Sequence, residues 1–170
     1  MLKAIGSKKM LTELSYFDCI SDIIDCVELE KLKQITHHVS TTRFQHCINV
    51  SYYGYLICRK LSLDARSAAR AGLLHDLFYY NRKEYNKAKS KQQLSHSMMH
   101  SLMAADNASK LVEISDLERD IIEKHMWPAT SRLPKYREGY VIMIVDKYCA
   151  ILEFFGPKIR RCTSKLSKQQ

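Results

Sequence analysis

With 170 residues the chain has the length of one domain plus a terminal extension, and a 46% hydrophobic content supports a real core. No apolar run approaches the roughly 18 residues of a spanning helix, which excludes a membrane-embedded class. The net charge of +9 favours an anionic partner: a phosphorylated small molecule, a nucleotide or a nucleic acid.

The positive excess is local. It gathers in 82–91 (Arg82, Lys83, Lys87, Lys89, Lys91) and between Lys158 and Lys168. Both stretches read as solvated segments, and neither carries the interleaved aromatics of a nucleic-acid platform. A nucleic acid is therefore not the favoured partner. Residues 1–10, MLKAIGSKKM, lack the apolar centre and cleavage site of a secretory signal. The six cysteines form no CxxC pair, and four lie in helical apolar patterns, as free buried thiols do. A reducing, cytoplasmic setting is expected, without a membrane partner.

In chain order, Leu11, Leu14, Phe17, Ile20, Ile24 and Val27 recur near the helical period, so 8–35 is expected to be helical. Residues 1–40 read as a helical extension packed on the core. His37-His38 falls in a turn and reads as a surface pair. Thr41 or Thr42 caps a helix to about Leu61, burying Phe44, Ile48, Tyr52, Tyr55 and Leu56, with Arg43 and His46 on one face. Ser62-Leu63-Asp64 starts an alanine-rich helix that ends near Phe78 and carries His75-Asp76 into the centre. A polar, lysine-rich segment without periodicity follows over 79–94, read as a loop with room for a helical turn. Ser95 caps a helix holding His96 and His100, of which only His100 continues into the apolar side through Met103 and Ala104. His96 is left as a supporting or exposed residue. Ser115-Asp116-Leu117-Glu118 is a capping box opening a helix with Ile121, Ile122 and His125, stopped near Trp127-Pro128. The last helix is predicted over 138–155, central because apolar residues cover most of its circumference, with Asp146 in its middle and Gly156-Pro157 ending it. The core domain spans 41–157, and 158–170 is a basic tail. With no sustained strand alternation, no repeat and no Gly-rich phosphate loop, the fold is expected to be all-α, a compact bundle of six or seven helices.

His46, His75, Asp76, His100, His125 and Asp146 all lie within or at the end of apolar helices. A buried charge or imidazole needs a partner. Six separate compensations are less economical than one metal site inside a helical bundle. Imidazole with carboxylate suits iron, manganese, zinc, nickel or cobalt, and the lack of cysteine ligands argues against a structural zinc. Four histidines and two aspartates exceed what one catalytic metal needs; two divalent transition metals sharing a carboxylate would use them all.

The order of these residues resembles the HD-domain superfamily, a small bacterial dinuclear type of metal-dependent phosphohydrolase. The likeness rests on Arg43-Phe44-Gln45-His46, Ala71-Gly72-Leu73-Leu74-His75-Asp76 and Val145-Asp146-Lys147, with His100-Ser101-Leu102-Met103-Ala104-Ala105 and Ile121-Ile122-Glu123-Lys124-His125 supplying the extra histidines. It covers about 41–155. The resemblance implies that His46, His75, Asp76 and Asp146 bind one metal, and that Asp76 bridges to a second held by His100 and His125. It implies a metal-bridging hydroxide as nucleophile towards phosphorus in a small phosphorylated substrate, a nucleotide among the candidates. Arg43 and Lys147 adjoin ligands and are candidates to contact phosphate; a solvent-facing Lys147 is the equal alternative. Arg82, Lys83 and Lys87 form either a phosphate-attracting rim or a solvated loop.

Departures narrow the subfamily. Met126-Trp127-Pro128 follows His125 where the cyclic-di-GMP phosphodiesterase branch has Gly-Tyr-Pro, which disfavours that substrate. The chain is shorter than the (p)ppGpp synthetase–hydrolases and the triphosphohydrolases, and nearer the small bacterial HD hydrolases such as those acting on symmetrical diadenosine tetraphosphate. Two other readings stand beside the hydrolase. The same ligand set serves HD-type mixed-valent di-iron oxygenases such as myo-inositol oxygenase, and an HD fold can also act as a non-catalytic nucleotide or nucleic-acid binding module.

Overall fold

The computed structural model describes residues 2–7, 10–11, 15–37, 41–90 and 93–166, with the side chains of Lys83 and of 156–166 left out of the description. Leu14, His38, Lys91 and the side chains of the basic tail thus lie outside the described residues. Within them the chain is all-α, as its patterning predicts, with eight α-helices and no strand. None of these helices is long and apolar enough to cross a membrane.

The stretch expected to be helical over 8–35 is, among the described residues, divided into short pieces. Helix α1 is Ser15–Ile20, α2 is Val27–Lys31, and a 3-10 turn covers Leu32–Gln34. Between α1 and α2 the chain turns on Ile23 N and Ile24 N, both donating to Ile20 O at 3.0 Å. The break lets both Ile23 and Ile24 be buried and brings Asp22 within 2.5 Å of Arg70, while Val27 is left exposed. Burial and an ion pair outweigh the helical period here. Tyr16 of α1 is fully buried and donates to Ser51 Oγ at 2.7 Å.

Helix α3, Arg43–Lys60, starts at Thr42, whose side chain accepts from Gln45 N. Phe44, Ile48 and Tyr55 are buried as expected; Tyr52 and Leu56 are half-buried. Helix α4, Ala65–Leu74, is capped by Asp64, which accepts from Ser67 N. It lies so close to α3 that a Cβ on Gly72 would come 2.9 Å from Ser51 Cα. Ser51 Oγ donates to Ala69 O at 2.6 Å across the same seam. Small residues at 68, 69, 71 and 72 permit that approach, and it brings the start of α3 beside the end of α4.

Helix α4 stops at Leu74, short of the expected Phe78, with His75 at its C-cap. The carbonyls beyond it find partners on other helices: Asn107 Nδ2 donates to Leu77 O at 2.8 Å, and Arg43 Nη1 donates to Phe78 O. Those contacts compete with continued helical bonding and pull the chain aside directly after His75-Asp76. The segment read as a loop with room for a helical turn contains a short helix α5, Arg82–Ala88. Helix α6, His96–Leu111, is capped by Ser95 and turns His100, Ser101, Ala104, Ala105 and Ala108 inward. Helix α7, Asp116–Lys124, opens with the capping box of Ser115 and Glu118, and His125 is its C-cap. Buried Glu118 also accepts from Arg70 Nε at 2.8 Å.

Helix α8, Arg137–Leu166, corrects two expectations. It runs through Gly156-Pro157, because a proline removes one N–H and crowds one carbonyl, local costs that need not end a helix already held by the core. Nor is it buried all round. Ile142, Val145, Cys149 and Glu153 face inward, whereas Ile144, Tyr148 and Ile151 are more than half exposed.

Candidate metal centre

Two histidines of the site are helix C-caps, and this position supplies their orientation. The last carbonyls of a helix lack intrahelical donors. His75 Nδ1 meets Gly72 O at 2.8 Å, and His125 Nδ1 meets Ile122 O at 2.8 Å, each three residues back. His100 does the same one turn into α6, with Nδ1 2.8 Å from His96 O. A carbonyl only accepts, so Nδ1 carries a hydrogen in all three rings and Nε2 is the atom turned to the centre. His46, on α3, is held differently. Its Nδ1 is 3.0 Å from Glu153 Oε2, and Glu153 Oε1 accepts from Asn49 Nδ2 at 2.7 Å.

The four Nε2 atoms and two carboxylates converge. His46 Nε2 lies 3.0 Å from Asp146 Oδ1, and His75 Nε2 lies 3.7 Å from the same oxygen. His100 Nε2 and His125 Nε2 are 3.0 Å apart and stand 3.4 and 3.8 Å from Asp76 Oδ1. The six residues picked out in the sequence thus meet in one place. His46, His75, Asp76, His100 and His125 are buried there, with Asp146 half-buried at the rim.

The electrostatics follow from that crowding. Burial alone would lower the His46 imidazole, but the carboxylates of Asp146 and Glu153 on its two nitrogens outweigh it and raise the pKa to about 10. His75 is likewise held well above its ordinary value, chiefly by Asp76 and Asp146 against the effect of burial. His125 goes the other way, down to about 3, because burial is reinforced by the neighbouring His75 and His100. Burial would raise both aspartates, yet the surrounding imidazoles hold Asp76 and Asp146 well below the usual carboxylate range.

This donor set fits a divalent cation. His75 Nε2 is buried and makes no hydrogen bond. His100 and His125 turn two acceptor nitrogens towards each other and towards a carboxylate, and only a proton or a metal ion between them relieves the repulsion. His46, His75 and Asp146, and likewise His75, Asp76 and His125, each bring one ligand atom within 4.8 Å of the others.

The centre opens into a cleft of about 820 Å³, reached by Asp76, His100, His125 and Asp146. Arg43 lines it, buried, with its guanidinium 3.6 Å above the Phe78 ring and its Nε without a partner. Lys147 is absent from the cleft wall; its ammonium donates to His125 O at 3.2 Å and Met143 O at 3.3 Å. Arg82 is exposed at the rim. His96 packs on His100, ring centroids 4.8 Å apart, and its Nδ1 is 3.0 Å from Tyr80 OH.

Two residues emerge that the sequence reading passed over. Glu153 lies seven positions after Asp146 on the inward face of α8, so helical spacing from Asp146 was its available signal. His37, read as a surface residue, has a side chain only 18% exposed, stacks on His46 and lines the cleft. No local pattern marked it, because its place depends on how the segment before α3 folds back.

A model of the HD domain matches residues 43–151, and the chain belongs to that family, whose members are mostly metal-dependent phosphohydrolases that bind divalent metals. No curated protein and no solved structure matches the chain significantly.

Proposed function

We propose that the protein is a dinuclear metal-dependent phosphohydrolase cleaving a phosphoester or phosphoanhydride of a nucleotide or another small phosphorylated molecule. The observation that carries this reading is the convergence of the Nε2 atoms of His75, His100 and His125 on the carboxylates of Asp76 and Asp146, at distances that suit shared cations. His46, His75, Asp76 and Asp146 would hold one ion; His100 and His125 would hold the other, with Asp76 shared. Bound there, the two ions would acidify a water and polarise the phosphoryl oxygens.

The remaining work falls to the chain. Gly72, His96 and Ile122 fix the tautomers of three ligands through their carbonyls, and Glu153 orients the fourth. Arg43, charged and lining the cleft, is the group to meet phosphate charge. Lys147 ties the turn carrying His125 to α8 through its bond to His125 O, its second bond going to Met143 O of its own helix, and adds positive charge behind the site. The cleft volume falls in the range of small-ligand sites, about 300–1,000 Å³, which supports a substrate of nucleotide size. Buried, unbridged Cys47, Cys58 and Cys149 support a reducing, cytoplasmic setting.

The test is a panel of nucleotides and simple phosphoesters incubated with metal-loaded protein, with inorganic phosphate and oxygen uptake both followed. Phosphate release that disappears in His75→Ala and Asp76→Ala supports the reading. Oxygen-dependent turnover without phosphate release overturns it in favour of a di-iron oxygenase. Salt-sensitive RNA or DNA binding indifferent to both substitutions, with no turnover, overturns it in favour of a binding module.

A further inference from the structure

One more ring nitrogen faces the centre, and it comes from outside the span that matches the HD domain. His37 belongs to the segment that folds back against the start of α3. Thr36 forms an antiparallel bridge with Thr42, His37 N donates to Thr41 O at 2.9 Å, and Arg43 N donates to Ile35 O at 2.9 Å. Backbone bonds at Ile35 and at His37 itself therefore tie it to the cap of the helix that carries His46. Its ring stacks on His46 with centroids 4.2 Å apart and planes 28° from parallel. Its Nδ1 stands 3.8 Å from Asp76 Oδ2, the oxygen other than the one facing His100 and His125.

We propose that His37 is an additional ligand, through Nδ1, to the ion on the His46 side, entering from the cleft. The proposal rests on the dinuclear reading above. At 3.8 Å the nitrogen and the carboxylate oxygen are too far apart for a hydrogen bond. Two ligand atoms each about 2.0–2.2 Å from one ion lie roughly 3–4 Å apart, so the spacing is that of neighbours on a shared cation. His37, His46 and Asp76 each bring a ligand atom within 4.8 Å of the other two. With His37 in place the His46-side ion has five protein ligands, and the ion on His100 and His125 has three. Open positions for substrate are then concentrated on the second ion, the one held by His100 and His125.

The full chain and its His37→Ala variant, both loaded with cobalt(II), test this. The readings are metal stoichiometry, affinity by chelator competition, and the visible absorption of the bound cobalt. The expected result is a wild-type protein with two ions, and a variant in which one ion binds at least about tenfold more weakly, the lower end of what losing even a ligand's hydrogen-bond partner costs. Its absorption band shifts, and added imidazole restores the wild-type band, which a merely structural histidine would not allow. His37→Gln, which keeps the side chain's bulk, should lose affinity in the same way and separates ligation from packing. Unchanged affinity and spectrum in both variants overturn the role of His37 while leaving the dinuclear centre standing. A wild-type chain that binds no cobalt overturns both.

Discussion

A histidine becomes a usable ligand when its other ring nitrogen is already committed, and three of the four histidines here meet that condition by a short local bond. Helix ends supply the acceptors for His75 and His125 without any specialised residue, since those carbonyls are unpaired in any helix. His46 is the exception, bracketed by Asp146 and Glu153 and so retaining a proton far above neutrality, at a pKa of about 10, when no metal competes. A cation taking its Nε2 must expel that proton, and the same applies to His75, whose pKa is also raised. The sign is definite: protons compete with metal below these raised values, so affinity increases as pH rises through neutrality. Calorimetric titrations in buffers of different ionisation enthalpy are expected to show proton release on metal binding. Each proton released adds about a tenfold gain in affinity per pH unit below the relevant pKa. Affinity that stays flat between pH 6 and pH 8 on the order of a factor of two would contradict the assignment of His46 and His75 as ligands.

At the scale of elements, the seam between α3 and α4 sets the spacing of the site, because His46 rides on one helix and His75 ends the other. Gly72 is the tight point: its would-be Cβ meets Ser51 backbone, which cannot rotate away as a side chain could. Gly72→Ala is expected to cost about 1–3 kcal/mol in denaturant unfolding. It should also weaken metal binding, by moving the carbonyl that anchors His75 Nδ1. Gly54 offers a contrast, since the atom a Cβ would meet there is Ile142 Cδ1, the far end of a side chain with some freedom to move. A Gly72→Ala variant as stable and as well metallated as wild type would show that the helices can separate without disturbing the centre.

The same seam shows how far the sequence could be read. The caps at Thr42, Asp64, Ser95 and Ser115 were legible because capping chemistry is local. The bounds set by tertiary partners were not. Helix α4 ends early because Arg43 and Asn107 take the carbonyls beyond it, and α1 and α2 are separated by a turn that serves Asp22 and two isoleucines. The apolar residues of α8 suggested burial all round, but periodicity reports hydrophobicity and not which side meets a neighbour, and Ile144, Tyr148 and Ile151 are exposed.

For the whole molecule, the six candidate ligands were visible as polar residues in apolar settings, and the HD-domain match over 43–151 agrees with their order. Glu153 and His37 lie outside that matched span. Each reaches the centre only through the closed tertiary fold, Glu153 along α8 and His37 by the backbone bridge at Thr36 and Thr42. Segments flanking the matched span therefore also bear on the centre. The central claim is a pair of cations shared through Asp76, and elemental analysis of the purified chain under metal-replete conditions tests it most directly. The expected result is two transition-metal ions per chain, falling with Asp76→Ala to a level well below two. Fewer than one ion per chain in the wild-type protein would contradict it.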